Sequence, residues 1–255
     1  VEGQERMQTI RKGIKSALFY PMTLVIVTLL ITYGMLTKVV PTFTEMYKGM
    51  GKKLPGPTQV IVDASDWILN GWNVLSVIAV VVTIKVIHDQ LFKRVYGYKK
   101  AINVIFLKLP IMGNIIIKST IARLSLLMAN LFAAGIGVEE ILRVSSRITP
   151  NTVFVEAMGR ISERVVSGAE LSSLFAEEPI FPLELSQLIK VGEKTGNMDE
   201  MLSSIARYYQ EEFEATVEGL TSMIEPLMIV FVGALIGAMV VALYLPIFSQ
   251  GDMVG

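Results

Sequence analysis

Few side chains in this sequence could carry out chemistry. There are no cysteines and there is a single histidine, His88. A thiolate nucleophile, a disulfide and a zinc site built from cysteine and histidine are therefore excluded. His88 has no partner at the spacing of a metal ligand, so we interpret it as a structural residue rather than as a ligand.

The sequence indicates neither a phosphate site nor a pair of catalytic carboxylates. Segment 49–53 reads Gly-Met-Gly-Lys-Lys, which lacks the first glycine and the hydroxyl residue of a nucleotide-binding loop. Glu177 and Glu178 are adjacent, and adjacent positions point in different directions, so they fit a solvated turn. We therefore expect no enzymatic activity, no cofactor and no metal site.

Acidic residues cluster before and at the start of the last apolar segment. Glu225 stands next to Pro226 at a predicted membrane edge, where pairing with Lys38 or Lys85 is favoured over a role in a transport pathway. An earlier run of glutamates fits a solvated helix face, and contact with a basic partner is the alternative. Its members are Glu211, Glu212, Glu214 and Glu218.

The elements that would position these residues are strongly apolar. Hydrophobic residues make up 52% of the chain and charged residues 18%, and the mean hydropathy is +0.55. Segments 17–38, 72–90 and 220–248 are each long and apolar enough to cross about 30 Å of hydrocarbon as a helix. We predict an all-α membrane protein with three transmembrane helices. The net charge is zero, so no basic field points to nucleic acid.

Basic residues near the ends of these segments predict the orientation. They precede the first segment and follow the second, whereas the tail 249–255 has none. The positive-inside rule then places segments 1–16 and 91–219 in the cytoplasm and segments 39–71 and 249–255 outside. The residues concerned are Arg6, Arg11, Lys12 and Lys15, then Lys93, Arg94, Lys99 and Lys100.

The first and third apolar segments resemble each other. Pro21 and Pro41 bracket the first at the same spacing at which Pro226 and Pro246 bracket the third. A phenylalanine follows two residues after the second proline in both copies. The repeat predicts that span one, like span three, follows a cytoplasmic helical domain, of which residues 1–16 would be the end.

Segment 91–219 has the pattern of an antiparallel helical bundle. Apolar residues recur at helical spacing, and glycines stand where the helices should end. The turn formed by Gly192, Glu193 and Gly196 is interpreted as a structural hairpin between two helices, with direct contact to a partner as the alternative. The last helix is predicted to run from residue 197 to residue 245 and so to join the bundle to the third span.

The third span contains several small residues. Gly233 and Gly237 are four positions apart, with Ala234 and Ala238 beside them. Such spacing lets two helix backbones approach closely in lipid, so we predict helix packing at this face.

Several spaced motifs resemble those of the type II secretion system F family, which includes the inner-membrane platform proteins of type IV pili. The motifs occur in the family's order and cover nearly the whole chain. They lie at residues 17–21, 40–43, 53–55, 109–113, 181–183, 188–198, 205–209, 224–227 and 245–248.

The resemblance implies a bacterial inner-membrane protein with a cytoplasmic N-terminus, a periplasmic C-terminus and three spans. It implies a platform that couples a cytoplasmic hexameric assembly ATPase, and in pili also a retraction ATPase, to insertion of pilin or pseudopilin subunits into a fibre. Other inner-membrane assembly proteins and further copies of the chain are expected partners. The family brings no catalytic residues. A membrane subunit of a transporter or channel remains the alternative, although spans one and three carry no charge at mid-membrane.

Overall fold

The computed structural model describes residues 22–49 and 56–251. In these ranges every regular element is a helix, and no strand occurs, so the all-α class is confirmed. Pro21 and the predicted segment 1–16 lie outside the described residues, as does the end of the predicted tail, 252–255.

The helices follow one another with short connections. Helix α1 (22–34) continues through a π-helical turn (Met35–Val39) into α2 (Val40–Gly49). The next three are α3 (Gly56–Leu69), α4 (Gly71–Arg94) and α5 (Tyr96–Lys108). The remainder are α6 (Pro110–Ala133), α7 (Val138–Ile148), α8 (Thr152–Val165), α9 (Leu171–Glu177), α10 (Leu183–Thr195) and α11 (Met198–Gly251).

Residues 88–219 form one compact unit. Its core is made by apolar stripes on α6 to α11, which meet because each helix buries one face. The largest fully buried side chains include those of Phe154, Phe175, Ile141, Leu142 and Ile205. Phe181 packs against Phe154 and Phe175, with ring centroids 5.5 Å and 4.8 Å apart respectively. The predicted bundle is therefore present, and α6, α8 and α10 end close to glycines, as the sequence indicated.

Helix α6 is as long and apolar as a membrane span, and it is one of four described helices with that property. The other three, Met22–Thr42, Gly71–Arg94 and Met198–Ala238, overlap the predicted spans. In α6, however, Ile121, Leu124 and Met128 are buried in the bundle core. Their apolar surface is covered by protein, so we assign α6 to the bundle.

The described part of the second unit comprises residues 22–49, 56–87 and 220–251. Segment 39–71 is predicted from the sequence to be an external connection between two spans. In the structure the described part of this segment contains two helices, α2 and α3, and α3 packs back against the α1–α2 helix. Leu36, Val40 and Val62 form a small buried cluster between them. The side chain of Ser65 on α3 donates a hydrogen bond of 2.7 Å to the carbonyl of Leu36.

Helix α11 is a single helix of 54 residues. Neither Gly219 nor Pro226 ends it, which confirms the predicted continuous helix. Residues 198–219 belong to the bundle unit and residues 220–251 to the second unit.

Candidate functional site

The α5–α6 hairpin exposes the densest group of large apolar side chains in the bundle unit. Five such residues fall within positions 105–112 and are all solvent-exposed, with Ile105 at 55% and Phe106 at 45%. We call these residues the hairpin tip: Ile105, Phe106, Leu109, Ile111 and Met112. Large apolar side chains that are exposed around one turn of a folded domain indicate an interaction site.

The turn between the two helices is tight. Leu109 has an extended backbone, and Pro110 occupies the first turn of α6, where its missing N–H leaves no hydrogen bond unmade. The amide of Gly113 donates to the Leu109 carbonyl at 2.7 Å. A β-carbon added at Gly113 would lie only 2.2 Å from the carbonyl oxygen of Leu107. Close approach of α5 and α6 therefore requires glycine here.

Polar contacts hold α5 against α8 and so fix the hairpin on the bundle. Glu156 accepts hydrogen bonds from Lys100 at 2.8 Å and from the hydroxyl of Tyr96 at 2.7 Å. Asn103 donates to the hydroxyl of Thr152 at 3.1 Å. The bond from Lys100 lowers the pKa of the Glu156 carboxyl, and that carboxylate raises the pKa of the Tyr96 phenol. The hairpin tip is thus presented by an anchored element.

The motif residues Gly192 and Gly196 each have a structural role in the α10–α11 hairpin. A β-carbon at Gly192 would lie 3.2 Å from Cα of Met198, so glycine permits close approach of α10 and α11. Gly196 ends α10 in the left-handed conformation, with φ of 76°. These features agree with the interpretation as a structural hairpin. Contact of this turn with a partner stays a prediction.

Glu193 reaches across to another helix. Its two carboxylate oxygens accept hydrogen bonds from the backbone amides of Leu171, at 2.6 Å, and Ser172, at 3.0 Å. These amides open α9 and have no partner within that helix. A carboxylate there is also favoured by the helix dipole. Sequence spacing alone did not reveal this contact, because the residues are 22 and 21 positions apart.

Glu177 and Glu178 take part in ion pairs rather than in a solvated turn alone. Glu178 accepts two hydrogen bonds from Arg160, at 2.7 and 2.6 Å, and Glu177 pairs with Arg164. The bond from Arg164 lowers the pKa of the Glu177 carboxyl. Each carboxylate faces its own arginine, so the two do not form an acid–base pair.

His88 is held by aromatic neighbours. Its Nδ1 lies 2.9 Å from the hydroxyl of Tyr98, and its ring packs against Phe92 with centroids 5.8 Å apart. This environment supports a structural role. In the acidic run, Glu212 binds Lys118 at 2.8 Å, whereas Glu211, Glu214 and Glu218 are exposed.

The remaining predicted positions lie in the second unit. Glu225, Pro226, Gly233, Ala234, Gly237 and Ala238 are exposed on α11. Outside the adjoining backbone of α11, no described atom lies within 4 Å of a β-carbon built at Gly233 or Gly237. No salt bridge of Glu225 occurs in the described ranges. Helix packing at the small residues and pairing of Glu225 therefore stay predictions. Pro246 lies within α11, and its side chain is outside the described set.

Pro41 has a clear structural consequence. In the π-helical turn, the amide of Val40 bonds to the carbonyl of Met35, five residues back. The same register would pair residue 41 with the carbonyl of Leu36, but proline has no N–H. The hydroxyl of Ser65 supplies that hydrogen bond instead. The first proline motif therefore creates the acceptor to which α3 docks.

We expect Ser65→Ala to destabilise the chain by about 1–3 kcal/mol, because it leaves a buried carbonyl unpaired. In a Pro41→Ala background, residue 41 regains its N–H, so the cost of Ser65→Ala should fall by about 1 kcal/mol. Thermal unfolding in detergent of the unmodified chain, the two single variants and the double variant measures this coupling between Ser65 and Pro41. Ser76→Ala is the control, because its hydroxyl bonds only locally to the exposed Asn73 carbonyl. Equal costs in both backgrounds would refute the role of Pro41.

Comparison with known proteins finds a matching family model and several curated relatives. The family model for type II secretion system (T2SS), protein F, matches residues 124–246. The chain is 36% identical to type IV pilus assembly protein PilC of Pseudomonas aeruginosa over 99% of this chain and 67% of that protein. It is 31% identical to type IV pilus assembly protein TapC of Aeromonas hydrophila over 99% of this chain and 60% of that protein. It is 28% identical to type II secretion system protein F of Pseudomonas aeruginosa over 98% of this chain and 61% of that protein. The chain thus spans about 60 to 67% of the length of these curated relatives.

Proposed function

The chain belongs to the type II secretion system protein F family, and we propose that it is an inner-membrane platform of a type IV pilus or type II secretion machine. In this role it couples a cytoplasmic hexameric ATPase to the insertion of pilin or pseudopilin subunits into a fibre. The names of its relatives, which include type IV pilus assembly and type II secretion proteins, support this choice.

The proposed location is the bacterial inner membrane, with residues 91–219 in the cytoplasm and the C-terminus in the periplasm. The distribution of basic residues supports this orientation. The protein acts without catalysis of its own, as a binding and mechanical component. Its single histidine, whose described contacts are aromatic, and its lack of cysteine support that proposal.

The observation that carries the proposal is the hairpin tip. An assembly platform needs a surface on which a cytoplasmic component can dock, and the bundle unit exposes five large apolar residues together at this point. We propose that the ATPase binds there. The anchoring of α5 to α8 through Glu156 would pass force from the tip into the bundle core.

Helix α11 offers a route from the bundle towards the membrane. It is continuous from Met198 to Gly251 and contributes Leu202 and Ile205 to the bundle core. A helix is stiff along its axis, since each turn is hydrogen-bonded to the next. Displacement of the bundle would therefore be transmitted to the apolar part of the helix.

The test replaces two tip residues, with the double substitution Phe106→Ser and Met112→Ser. Both side chains are exposed, so the bundle should fold normally while fibre assembly in the source cell is lost. Val166→Ser is the matched control, because Val166 is 66% exposed on the same bundle but lies apart from the tip. Membrane insertion is checked by fractionation. Normal fibre assembly by the double variant would contradict the proposal.

A further inference from the structure

Helix α3 presents three distinct faces. Val62 and Ser65 are buried against the α1–α2 helix. At helical spacing around the axis, Gln59, Asp63 and Asp66 form a polar strip, in which Gln59 donates to Asp63 at 2.8 Å. The third strip is apolar and solvent-exposed. We call it the Trp67 face, and it consists of Val60, Ala64, Trp67 and Ile68.

The Ser65 hydrogen bond sets the level of α3 along the first apolar helix. It places Ser65 beside Leu36, which lies inside the span-length helix Met22–Thr42 and about 9 Å from its end at ~1.5 Å per residue. Since Ser65 bonds to Leu36 and Val62, which precedes it on α3, packs with Val40, the chain beyond Ser65 moves further along α1, away from Thr42. Trp67 and Ile68 therefore stand at the level of the span. Lys38, an exposed cation at the same level, fits a membrane–water interface.

The exposed apolar surface continues from α3 into α4. The two helices are joined through Asn70 alone, whose side chain accepts a hydrogen bond from the amide of Trp72 at 3.2 Å. Asn73 donates to the carbonyl of Trp67 at 3.1 Å and so secures the junction. The most apolar 18-residue window of α4 has no buried residue. The same lipid environment would therefore cover the exposed apolar surfaces of both α3 and α4.

We propose that α3 runs alongside the end of the first span with its Trp67 face against lipid acyl chains, while its polar strip faces water. Membrane contact thus begins within α3, before the predicted second span at residue 72. The segment between the first two spans is then a membrane-bound element rather than a free external loop. Tryptophan near the end of a span is suited to the headgroup–acyl boundary. The proposal depends on the membrane location alone and not on the proposed partners.

Site-directed spin labelling tests the proposal directly, because the chain has no native cysteine. The full chain is reconstituted into bilayers of phosphatidylethanolamine and phosphatidylglycerol with Val60→Cys, Ala64→Cys, Gln59→Cys or Asp63→Cys. Labels at 60 and 64 should lose collisions with an aqueous nickel chelate and gain collisions with oxygen. Labels at 59 and 63 on the same helix should show the opposite pattern and are the matched controls.

Nickel collisions at 60 and 64 as frequent as at 59 and 63 would overturn the proposal. Low collision rates with both reagents at 60 and 64 would also overturn it, because the face would then be covered by protein, such as a second copy of the chain.

A measurement without cysteine substitutions uses Trp72→Phe, which leaves Trp67 as the only tryptophan. Its fluorescence should be quenched by phospholipid brominated on the acyl chain and not by iodide. The reverse result would reject lipid contact.

Discussion

Gly113→Ala should destabilise the bundle by about 3 kcal/mol and loosen the hairpin tip. The added methyl group would lie 2.2 Å from the carbonyl oxygen of Leu107. That atom belongs to the backbone, so no side-chain rotation relieves the overlap, and α5 must move away from α6. Thermal unfolding of the full chain measures the loss, and hydrogen exchange of α5 amides shows where it occurs.

The control substitution, Gly159→Ala, is expected to raise the stability of the chain rather than lower it. Gly159 lies within α8, and outside the adjoining backbone of that helix a β-carbon there meets no described atom within 4 Å. Gly159→Ala should therefore stabilise the chain by about 0.5–1 kcal/mol, since alanine is the better helix former. If Gly113→Ala were neutral or stabilising like the control, the tight α5–α6 approach would be wrong, and so would the position assigned to the hairpin tip.

Glu193→Ala should destabilise the bundle by about 1–3 kcal/mol. It removes the acceptor for the amides of Leu171 and Ser172 at the start of α9. Helix α9 has only seven residues, and it places Leu174 and Phe175 in the core. A helix so short is not stable without such contacts, so fraying at its first turn should reach the core.

Glu193→Gln should cost less than Glu193→Ala, because one carbonyl oxygen remains to accept a hydrogen bond. Glu163→Ala removes an exposed glutamate from α8 and should change the stability by at most about 0.5 kcal/mol. Denaturant unfolding ranks the three variants. A Glu193→Ala variant as stable as Glu163→Ala would show that the motif is kept for another purpose, such as a contact with a partner.

Much of the bundle could be predicted because local signals agree with the tertiary structure. Gly196 marks the end of α10 and takes the left-handed conformation that glycine adopts readily. The stripe containing Ile121, Leu124 and Met128 identifies the buried side of α6. Composition alone could not separate α6 from a membrane span, since lipid and protein core are equally apolar.

The parts that could not be predicted depend on contacts between distant residues. The role of Glu193 becomes visible only when α9 and α10 pack together. The exposure of Phe106 and Met112 depends on which side of the α5–α6 hairpin faces the core. The hydrogen bond from Ser65 to the Leu36 carbonyl holds α3 against the α1–α2 helix, and the sequence does not show that these two residues meet.

Co-purification with the cytoplasmic assembly ATPase from the source cell tests the central claim most directly. The full chain and the Val166→Ser variant should retain the ATPase, whereas the Phe106→Ser, Met112→Ser double variant should lose it while remaining in the membrane fraction. Equal recovery of the ATPase with all three chains, or with none of them, would contradict the account.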